Sequence, residues 1–347
     1  MAITYRLYRP SDLEQTLSLV NRIFQVENPS IPPAAWEKLE AGEHVTVLAE
    51  EGGRIVGAIP FDVREFALRP GLSIRAAFAH CVGVEAGHRA AGTGSGMMSF
   101  ARQALATFCD GLFVYTGGEG HAPYTFYERN GFVDLHYTRG HSLTELSGPA
   151  PAGVEVAPLD PAALDGDALW AVYRAAYPVQ GGFPVRGPGY WRRALDSIIY
   201  VQIPCDLYLA RAYTEGQLAG YCLFAHNVCR VHFPRGLYIL ELAAPAHEPG
   251  LGERLLRAVI ASASALGAQA VSMQASGSHP ALLDLQKLGF RAGPRDHATI
   301  VAGQLLDLEK AWARLAGDGA PALHLWTPQR RLSLPGREPA VTLEMKE

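Results

Sequence analysis

The chain contains one block of sequence twice, and this internal repeat constrains its fold more than any other feature. The first copy reads GHRAAGTGSGMMSFARQALA followed by FYERNGF, and the second reads AHEPGLGERLLRAVIASASA followed by LQKLGF. The internal spacing is the same in both: Gly92 to Gly131 is 131 − 92 = 39 positions, and Gly250 to Gly289 is 289 − 250 = 39 positions. The displacement is 250 − 92 = 158 residues. The sequence therefore predicts two units of one kind in tandem.

The length and composition fit two ordinary globular domains. The 347 residues allow two units of about 150 residues each, a size at which one hydrophobic core closes well. Hydrophobic residues make up 48% of the chain and charged residues 18%, which excludes wholesale disorder. The net charge is -4, the pI is near 6.3, and no run of Lys and Arg is interleaved with aromatic residues. These features argue against nucleic acid as the main partner.

The cysteines and the hydropathy predict a soluble, cytoplasmic protein. The five cysteines are scattered, odd in number and at no CxxC spacing, so we interpret them as reduced thiols. The N-terminus MAITYRLYRP carries no signal-peptide pattern. No stretch approaches the roughly 18 uninterrupted apolar residues of a membrane span. We therefore expect no membrane partner.

Each repeat predicts the same order of elements: strand, helices, strand hairpin, strand, glycine-rich turn, helix, strand, helix, strand. The hairpins EEGGRIVGAIPF and YTEGQLAGYCLF carry turn glycines, and LEQTLSLVNRIF and DALWAVYRAAY have helical apolar spacing. A Pro- and Gly-rich stretch separates the units near Pro149 to Gly153. We predict a catalytic domain over residues 1–148, a degenerate copy over 153–302, and a C-terminal helix and hairpin-like extension over 303–347.

The glycine-rich turn of the first repeat predicts an anion site. The apolar segment AFAHCVGV is expected to be a strand, and it runs through EAGHRAAGTGSG into a helix. Free backbone N–H groups and the macrodipole at a helix start stabilise a phosphate, and Gly92, Gly94 and Gly96 would let it approach the main chain. A tight turn with no ligand is the alternative. The Walker and GxGxxG patterns are both absent.

Two motifs in the first repeat resemble those of the GCN5-related N-acetyltransferases. The family pattern [RQ]xxGxG is matched by the segment from Arg89 to Gly94, between a strand and a helix. The family's tyrosine before a Gly-Phe pair is matched by FYERNGF, with Tyr127 as the tyrosine. The resemblance covers residues 3–142 and 153–300. It implies an α/β chain (α+β mixed sheet) with two tandem acyl-CoA N-acyltransferase domains of this family.

The resemblance also implies where acetyl-CoA, the co-substrate, would bind. In the family, the pantetheine arm pairs with a strand edge between two splayed parallel strands, and the pyrophosphate lies on the glycine-rich turn. The strand edge would consist of Val82, Gly83 and Val84. The pyrophosphate cradle would consist of Arg89, Ala90, Ala91, Gly92, Thr93, Gly94 and Ser95. No metal is expected.

The expected chemistry needs a general acid and a general base. Tyr127 matches the family tyrosine that reaches the CoA sulphur, so we predict that it is the acid. His80 lies four residues before Val84, so strand alternation would point its imidazole to the same face, where a group titrating near neutrality could accept a proton. A hydrogen-bonded core histidine is the alternative for His80. Glu119, which we include in the predicted catalytic set, and His121 compete as bases from the loop GGEGHAP.

The second repeat departs from these patterns. By the 158-residue offset, His247 replaces Arg89 and Leu285 replaces Tyr127, so the predicted acid is missing. Pro249 removes an amide from the turn. Glu253 follows the second turn and would repel a phosphate. Glu241, on the apolar strand YILELAA, would either face an acceptor pocket or satisfy a structural partner, and we favour the structural role.

The sequence therefore predicts an N-acetyltransferase that transfers an acetyl group from acetyl-CoA to a primary amine of a small molecule or peptide. The amine would attack directly in a ternary complex. The alternative is a non-catalytic acyl-CoA-binding or sensor protein of the same fold. The expected partners are acetyl-CoA and a small amine acceptor, and the sequence leaves oligomerisation open.

Overall fold

We describe the protein from a computed structural model. The structure describes residues 2–24, 44–69, 72–117, 122–177, 183–195, 206–226, 236–277, 279–294, 299–307, 323–326 and 331–334. Contacts divide the chain into two compact units. Unit 1 comprises Met1–His136, Gly181–Val185 and Thr299–Glu347, and unit 2 comprises Tyr137–Gln180 and Arg186–Ala298.

The strands and helices follow the predicted order. The strands are β1 Ile3–Leu7, β2 His44–Glu51, β3 Arg54–Arg69, β4 Leu72–Ala79, β5 Gly83–Val84, β6 Gly111–Gly117, β7 Val133–Leu143, β8 Val154–Pro158, β9 Phe183–Pro184, β10 Asp206–Thr214, β11 Gln217–His226, β12 Gly236–Ala243, β13 Ala270–Ala275, β14 Arg291–Ala292, β15 Thr299–Leu305, β16 Leu323–Trp326 and β17 Arg331–Leu334. The helices are α1 Leu13–Phe24, α2 Thr93–Leu105, α3 Ala122–Arg129, α4 Gly166–Ala176, α5 Tyr190–Leu195, α6 Leu251–Ala265 and α7 Leu282–Lys287. Short 3-10 turns precede α1, α2 and α4.

Unit 1 is built on a mixed sheet with the strand order β1-β2-β3-β4-β6-β15. All neighbours are antiparallel except β4 and β6, which are parallel. The predicted hairpin of the first repeat is confirmed as β2 and β3, and its turn residues Gly52 and Gly53 have φ values of 58° and 81°. A buried apolar cluster packs α2 and α3 against one face of this sheet and includes Met97, Leu105 and Tyr127. The opposite face receives α1, which buries Leu17 and Val20 but leaves Phe24 exposed.

The sequence predicted that the segment AFAHCVGV forms one continuous strand, and this prediction is wrong. Strand β4 ends at Ala79, and β5 begins only at Gly83. Between them Cys81 has a φ of 47°, which interrupts the alternation of side chains. Val82 and Val84 pack against the cluster on the α2 side of the sheet. His80 instead lies in the register of Pro60, on the face that carries His44, so the prediction that His80 shares a face with Val82 and Val84 is wrong.

Unit 2 is built on a second mixed sheet with the strand order β8-β10-β11-β12-β13-β7. Strands β12 and β13 are parallel, and the other neighbours are antiparallel. Helices α6 and α7 bury one face in a cluster that includes Leu255 and Leu285. Helices α4 and α5 cover the other face in a cluster that includes Leu169, Val172 and Trp191. The helix predicted from DALWAVYRAAY is therefore confirmed as α4.

The last strand of each repeat pairs with a strand that is distant from it in sequence. In unit 1, β15 pairs with β6 over seven residue pairs. In unit 2, residues 139–143 of β7 pair with β13. The compact units are thus discontinuous in sequence, and the boundary between 148 and 153 stays a prediction about the domains.

The C-terminal extension contains a short hairpin. The predicted C-terminal hairpin is confirmed as the antiparallel pair β16 and β17, whereas the predicted helix before it lies outside the described residues. No helix in the described part of the chain is long and apolar enough to cross a membrane.

Candidate functional site

The glycine-rich turn of unit 1 forms an open cradle at the start of α2. Gly92 caps this 13-residue helix with a φ of 83°, and Ala90 also has a positive φ of 62°. Successive turns of this kind point backbone N–H groups into a concavity that suits an anion. A Cβ built on Gly92 would have no atom within 4 Å, so the space before the turn is open.

The other two glycines of the turn serve packing within unit 1. A Cβ on Gly94 would lie 2.9 Å from the ring of Phe126, and a Cβ on Gly96 would overlap the hydroxyl of Tyr5. These positions are glycine because side chains pack against the backbone there. The expectation that Gly94 and Gly96 admit a ligand to the main chain is therefore not needed to explain them, whereas Gly92 does face open space.

Within the described residues, one edge of strand β5 pairs with no other strand. Its other edge pairs with β3, through Gly57 with Val84 and Ala58 with Gly83. The parallel pairing of β4 with β6 ends at Ala79 and Val114, although β6 continues to Gly117. The ladder between β4 and β6 therefore stops at the break after β4. This is the arrangement in which an extended ligand can take the place of a strand.

The predicted cradle and strand edge are in direct contact. Arg89 donates a hydrogen bond from Nε to the backbone oxygen of Val84 at 2.9 Å. Its guanidinium is thus close to both β5 and the turn that it precedes. The structure brings together the predicted binding residues from Val82 to Val84 and from Arg89 to Ser95.

Tyr127 is buried beside the strand break. Its side chain is 6% exposed, and its ring contacts those of Phe126 and Phe132 with centroid distances of 5.1 and 5.4 Å. Burial, with a smaller contribution from Cys81, raises the pKa of Tyr127 above its ordinary value. The hydroxyl therefore keeps its proton at neutral pH and can act only as a donor or acid there.

Two further residues hold the tyrosine helix to the turn, and sequence reasoning missed both. Asn130 donates from Nδ2 to the backbone oxygen of Phe126 at 2.8 Å and to Oγ of Ser95 at 3.3 Å. Arg102 of α2 donates to the backbone oxygen of Asn130 at 2.7 Å. Asn130 stands directly before the Gly-Phe pair of the tyrosine motif, and that position is the only signal the sequence offered.

His80 belongs to a polar group on the α1 face of the sheet. The group also contains His44, whose Nδ1 lies 3.4 Å from Asp62, and Arg64, which contacts Asp62. Burial lowers the pKa of His80 to about 3, with smaller effects of His44 and Arg64, and burial lowers the pKa of His44 to about 4. Nδ1 of His80 is buried and accepts no hydrogen bond from the described residues. The expectation of an imidazole that titrates near neutrality is therefore wrong.

The competing bases could not be placed. Glu119 and His121 lie outside the described residues, so their candidacy stays a prediction. Within the described residues, no group of three or more His, Cys, Asp or Glu side chains is arranged to hold a metal ion.

In unit 2 the turn has the same backbone but different surroundings. Gly250 caps α6 with a φ of 75°, and a Cβ there would also meet nothing within 4 Å. Asp284 stands at the position of Phe126, since 284 − 158 = 126, and its carboxylate packs against Gly252. This negative charge at the turn was not predicted. Glu253, which was, is engaged by Arg257 at 2.7 Å.

The sequence predicts that Leu285 replaces the tyrosine of the first repeat and favours a structural role for Glu241. Leu285, at the position of Tyr127, is fully buried in the core. Glu241 accepts hydrogen bonds from Arg186, Trp191 and Tyr221. Its partners are therefore all side chains of unit 2.

Unit 1 combines a mixed sheet that is interrupted after β4 with a glycine-capped helix that follows the interruption. Residues 4–133 match the profile of a family described as "Acetyltransferase (GNAT) domain". A search of curated protein sequences finds no significant match.

Solved structures share the fold over nearly the whole chain. A GCN5-related N-acetyltransferase from Anabaena variabilis has 14% identity and a TM-score of 0.68, covering 93% of this chain and 78% of that one. A probable N-acyltransferase from Enterococcus faecalis has 14% identity and a TM-score of 0.66, covering 93% and 77%. A tandem GNAT protein from the clavulanic acid biosynthesis pathway has 15% identity and a TM-score of 0.61, covering 88% and 99%. Residues 4–133 thus match the acetyltransferase (GNAT) domain family, and the chain as a whole shares its fold with GCN5-related N-acetyltransferase structures, including a tandem one.

Proposed function

We propose that the first repeat transfers an acetyl group from acetyl-CoA to a primary amine of a small molecule or peptide, within a ternary complex. The observation that carries this proposal is that three features occur together in unit 1. The open cradle at Gly92 suits a pyrophosphate, the free edge of β5 suits the pantetheine amides, and Tyr127 lies where that edge ends.

The strand break separates two chemical environments. Tyr127 belongs to the cluster on the α2 side of the sheet, and His80 lies on the α1 side with His44 and Asp62. An amine that approaches from the α1 side and a thiolate that leaves on the α2 side would be in line through the gap. This arrangement supports direct attack, with Tyr127 supplying the proton to the leaving sulphur.

His80 fits the role of a neutral hydrogen-bond acceptor. With a pKa lowered to about 3, it is uncharged at every physiological pH and can accept a hydrogen bond from an uncharged amine. The same low pKa makes it a weak proton acceptor. We propose that His80 orients an amine that reaches the site already deprotonated, and that proton loss to solvent precedes attack.

Titration of acetyl-CoA into the wild type and into two matched variants tests the proposal. Gly92→Asp and Gly250→Asp each place a carboxylate on a helix-capping residue with a similar φ, 83° and 75°, and no atom within 4 Å of the new Cβ. A new charge about 5 Å from the pyrophosphate costs about 3 kcal/mol at an effective dielectric constant of about 20, or about 100-fold in affinity. We expect one site in the wild type, lost in Gly92→Asp and unchanged in Gly250→Asp.

The outcomes separate the proposal from its rivals. Two sites in the wild type, or equal losses in both variants, would overturn the assignment of acetyl-CoA to the first repeat. One site without any acetyl transfer to a broad amine panel would favour the acyl-CoA-binding or sensor function instead.

A further inference from the structure

Unit 2 contains a buried box of aromatic rings around a single cation. The guanidinium carbon of Arg186 lies 4.1 Å from the ring centroid of Tyr173 and 4.2 Å from that of Tyr190. Trp191 stands 5.7 Å away on a third side. Rings at these distances attract a cation through their quadrupoles, most strongly when water is excluded. The side chain of Arg186 is only 10% exposed.

A carboxylate forms the floor of this cation box. Glu241 contacts Nη1 of Arg186, accepts a hydrogen bond from Nε1 of Trp191 at 2.9 Å and accepts another from the hydroxyl of Tyr221. The two neutral donors hold the carboxylate in place independently of the arginine. A fixed anion below and aromatic walls around it are the features that recognise a guanidinium or alkylammonium group.

The box lies where unit 1 carries His80. The hairpin glycines of the two units are offset by 216 − 53 = 163 and 220 − 57 = 163 residues. Pro60, the backbone partner of His80, therefore corresponds to Leu223, because 60 + 163 = 223. Leu223 is the strand partner of Glu241. The Glu241 carboxylate thus occupies in unit 2 the place that the proposed amine-facing imidazole has in unit 1.

Arg186 fills the box imperfectly. Its Nε is buried and has no hydrogen-bond partner among the described residues. A buried N–H without an acceptor weakens the hold of the site on that group. A cation that lacks this N–H could make the same contacts with the rings and with the carboxylate.

We propose that unit 2 has a cation-binding site for a guanidinium or alkylammonium group, and that Arg186 occupies it as an internal ligand that excludes external amines. The proposal does not depend on acetyl transfer by the first repeat. It assigns the second repeat a closed acceptor-type pocket in addition to its altered turn.

Chemical rescue of Arg186→Ala tests the proposal. The alanine retains Cβ, so ethylguanidinium replaces the atoms that the substitution removes, and ethylurea is its neutral counterpart of similar shape. We expect ethylguanidinium to raise the melting temperature of Arg186→Ala saturably, by about 3 °C at ten times its dissociation constant. Ethylurea should need at least tenfold higher concentrations, and the double variant Arg186→Ala, Glu241→Gln should lose the response.

Matched controls show whether the response belongs to the box. The exposed Arg174 stacks on Trp170 at 4.8 Å, so Arg174→Ala removes a cation–π contact outside the box. Wild type and Arg174→Ala should show no saturable response to ethylguanidinium. If Arg186→Ala does not fold alone, it is refolded in the presence of ethylguanidinium or of ethylurea, and the yields of folded protein are compared. A folded Arg186 variant without a saturable response, equal responses to both ligands, or saturable binding by the wild type would each overturn the proposal.

Discussion

Replacing Tyr127 by phenylalanine removes one hydroxyl from the proposed site and almost nothing else. The ring contacts with Phe126 and Phe132 are retained, and no cavity is created because the ring keeps its volume. We therefore expect the free energy of unfolding to change by less than about 1 kcal/mol. Any large functional effect would then come from chemistry rather than from folding.

The expected loss of activity follows from the protonation state of Tyr127. Because burial raises its pKa, the hydroxyl carries a proton throughout the working pH range and can deliver it to the leaving sulphur. A positioned general acid contributes about 10²–10⁴-fold, which corresponds to about 3–5 kcal/mol of transition-state stabilisation. We expect kcat of Tyr127→Phe to fall within that range while acetyl-CoA affinity stays within about twofold.

The same helix provides a matched control in Tyr124. It is also 6% exposed, but its hydroxyl donates to Asp134 at 3.0 Å instead of facing the strand break. Tyr124→Phe removes that hydrogen bond and should lower stability by about 1–3 kcal/mol with little change in kcat. The assay measures release of the CoA thiol with the best acceptor from an amine panel, beside thermal melts and acetyl-CoA titration. A Tyr127→Phe enzyme with kcat within about threefold of wild type, or an equal loss in Tyr124→Phe, would refute the reasoning.

Two further predictions concern pH. Because the pKa of His80 is about 3, any rise of kcat/KM between pH 5 and pH 8 should report deprotonation of the acceptor amine. The variant His80→Gln should therefore lower the rate without moving the inflection of the pH profile. An inflection near pH 6.5 that disappears in His80→Gln would contradict this. Asp12 accepts hydrogen bonds from Arg6 at 2.6 and 2.9 Å, and this interaction holds its pKa below the ordinary value. The stabilisation is present above the unfolded-state pKa of about 3.9 and is lost as pH falls further. Asp12→Asn should therefore lower the melting temperature clearly at pH 7 and much less at pH 3, and a pH-independent difference would count against the assignment.

The local patterns of the sequence predicted the parts of the site that depend on local structure. Gly92 and Gly250 were identified from the repeat spacing and from the glycine-rich turn before a helix, and both have the positive φ that side chains disfavour. The replacement of Tyr127 by Leu285 was visible from the repeat offset alone. Both conclusions depend on short stretches of chain whose conformation is set by neighbouring residues.

The environment of His80 could not be predicted in the same way. Strand alternation assumes an unbroken strand, and the left-handed Cys81 breaks it, so the imidazole faces away from Val82 and Val84. Its low pKa arises from burial and from His44 and Arg64, which lie on other strands. Neither effect has a signature within the segment AFAHCVGV.

The sequence by itself determined that this protein contains one kind of α/β unit twice, because repeated spacing, periodicity and turn glycines are properties of the local chain. Only the tertiary structure decided how the sheets are completed and what fills unit 2. Pairing of β15 with β6, the approach of Asp284 to Gly252, and the placing of Arg186 on Glu241 each join residues far apart in sequence. Such contacts are selected by the packing and charge balance of the whole unit, which no local pattern encodes.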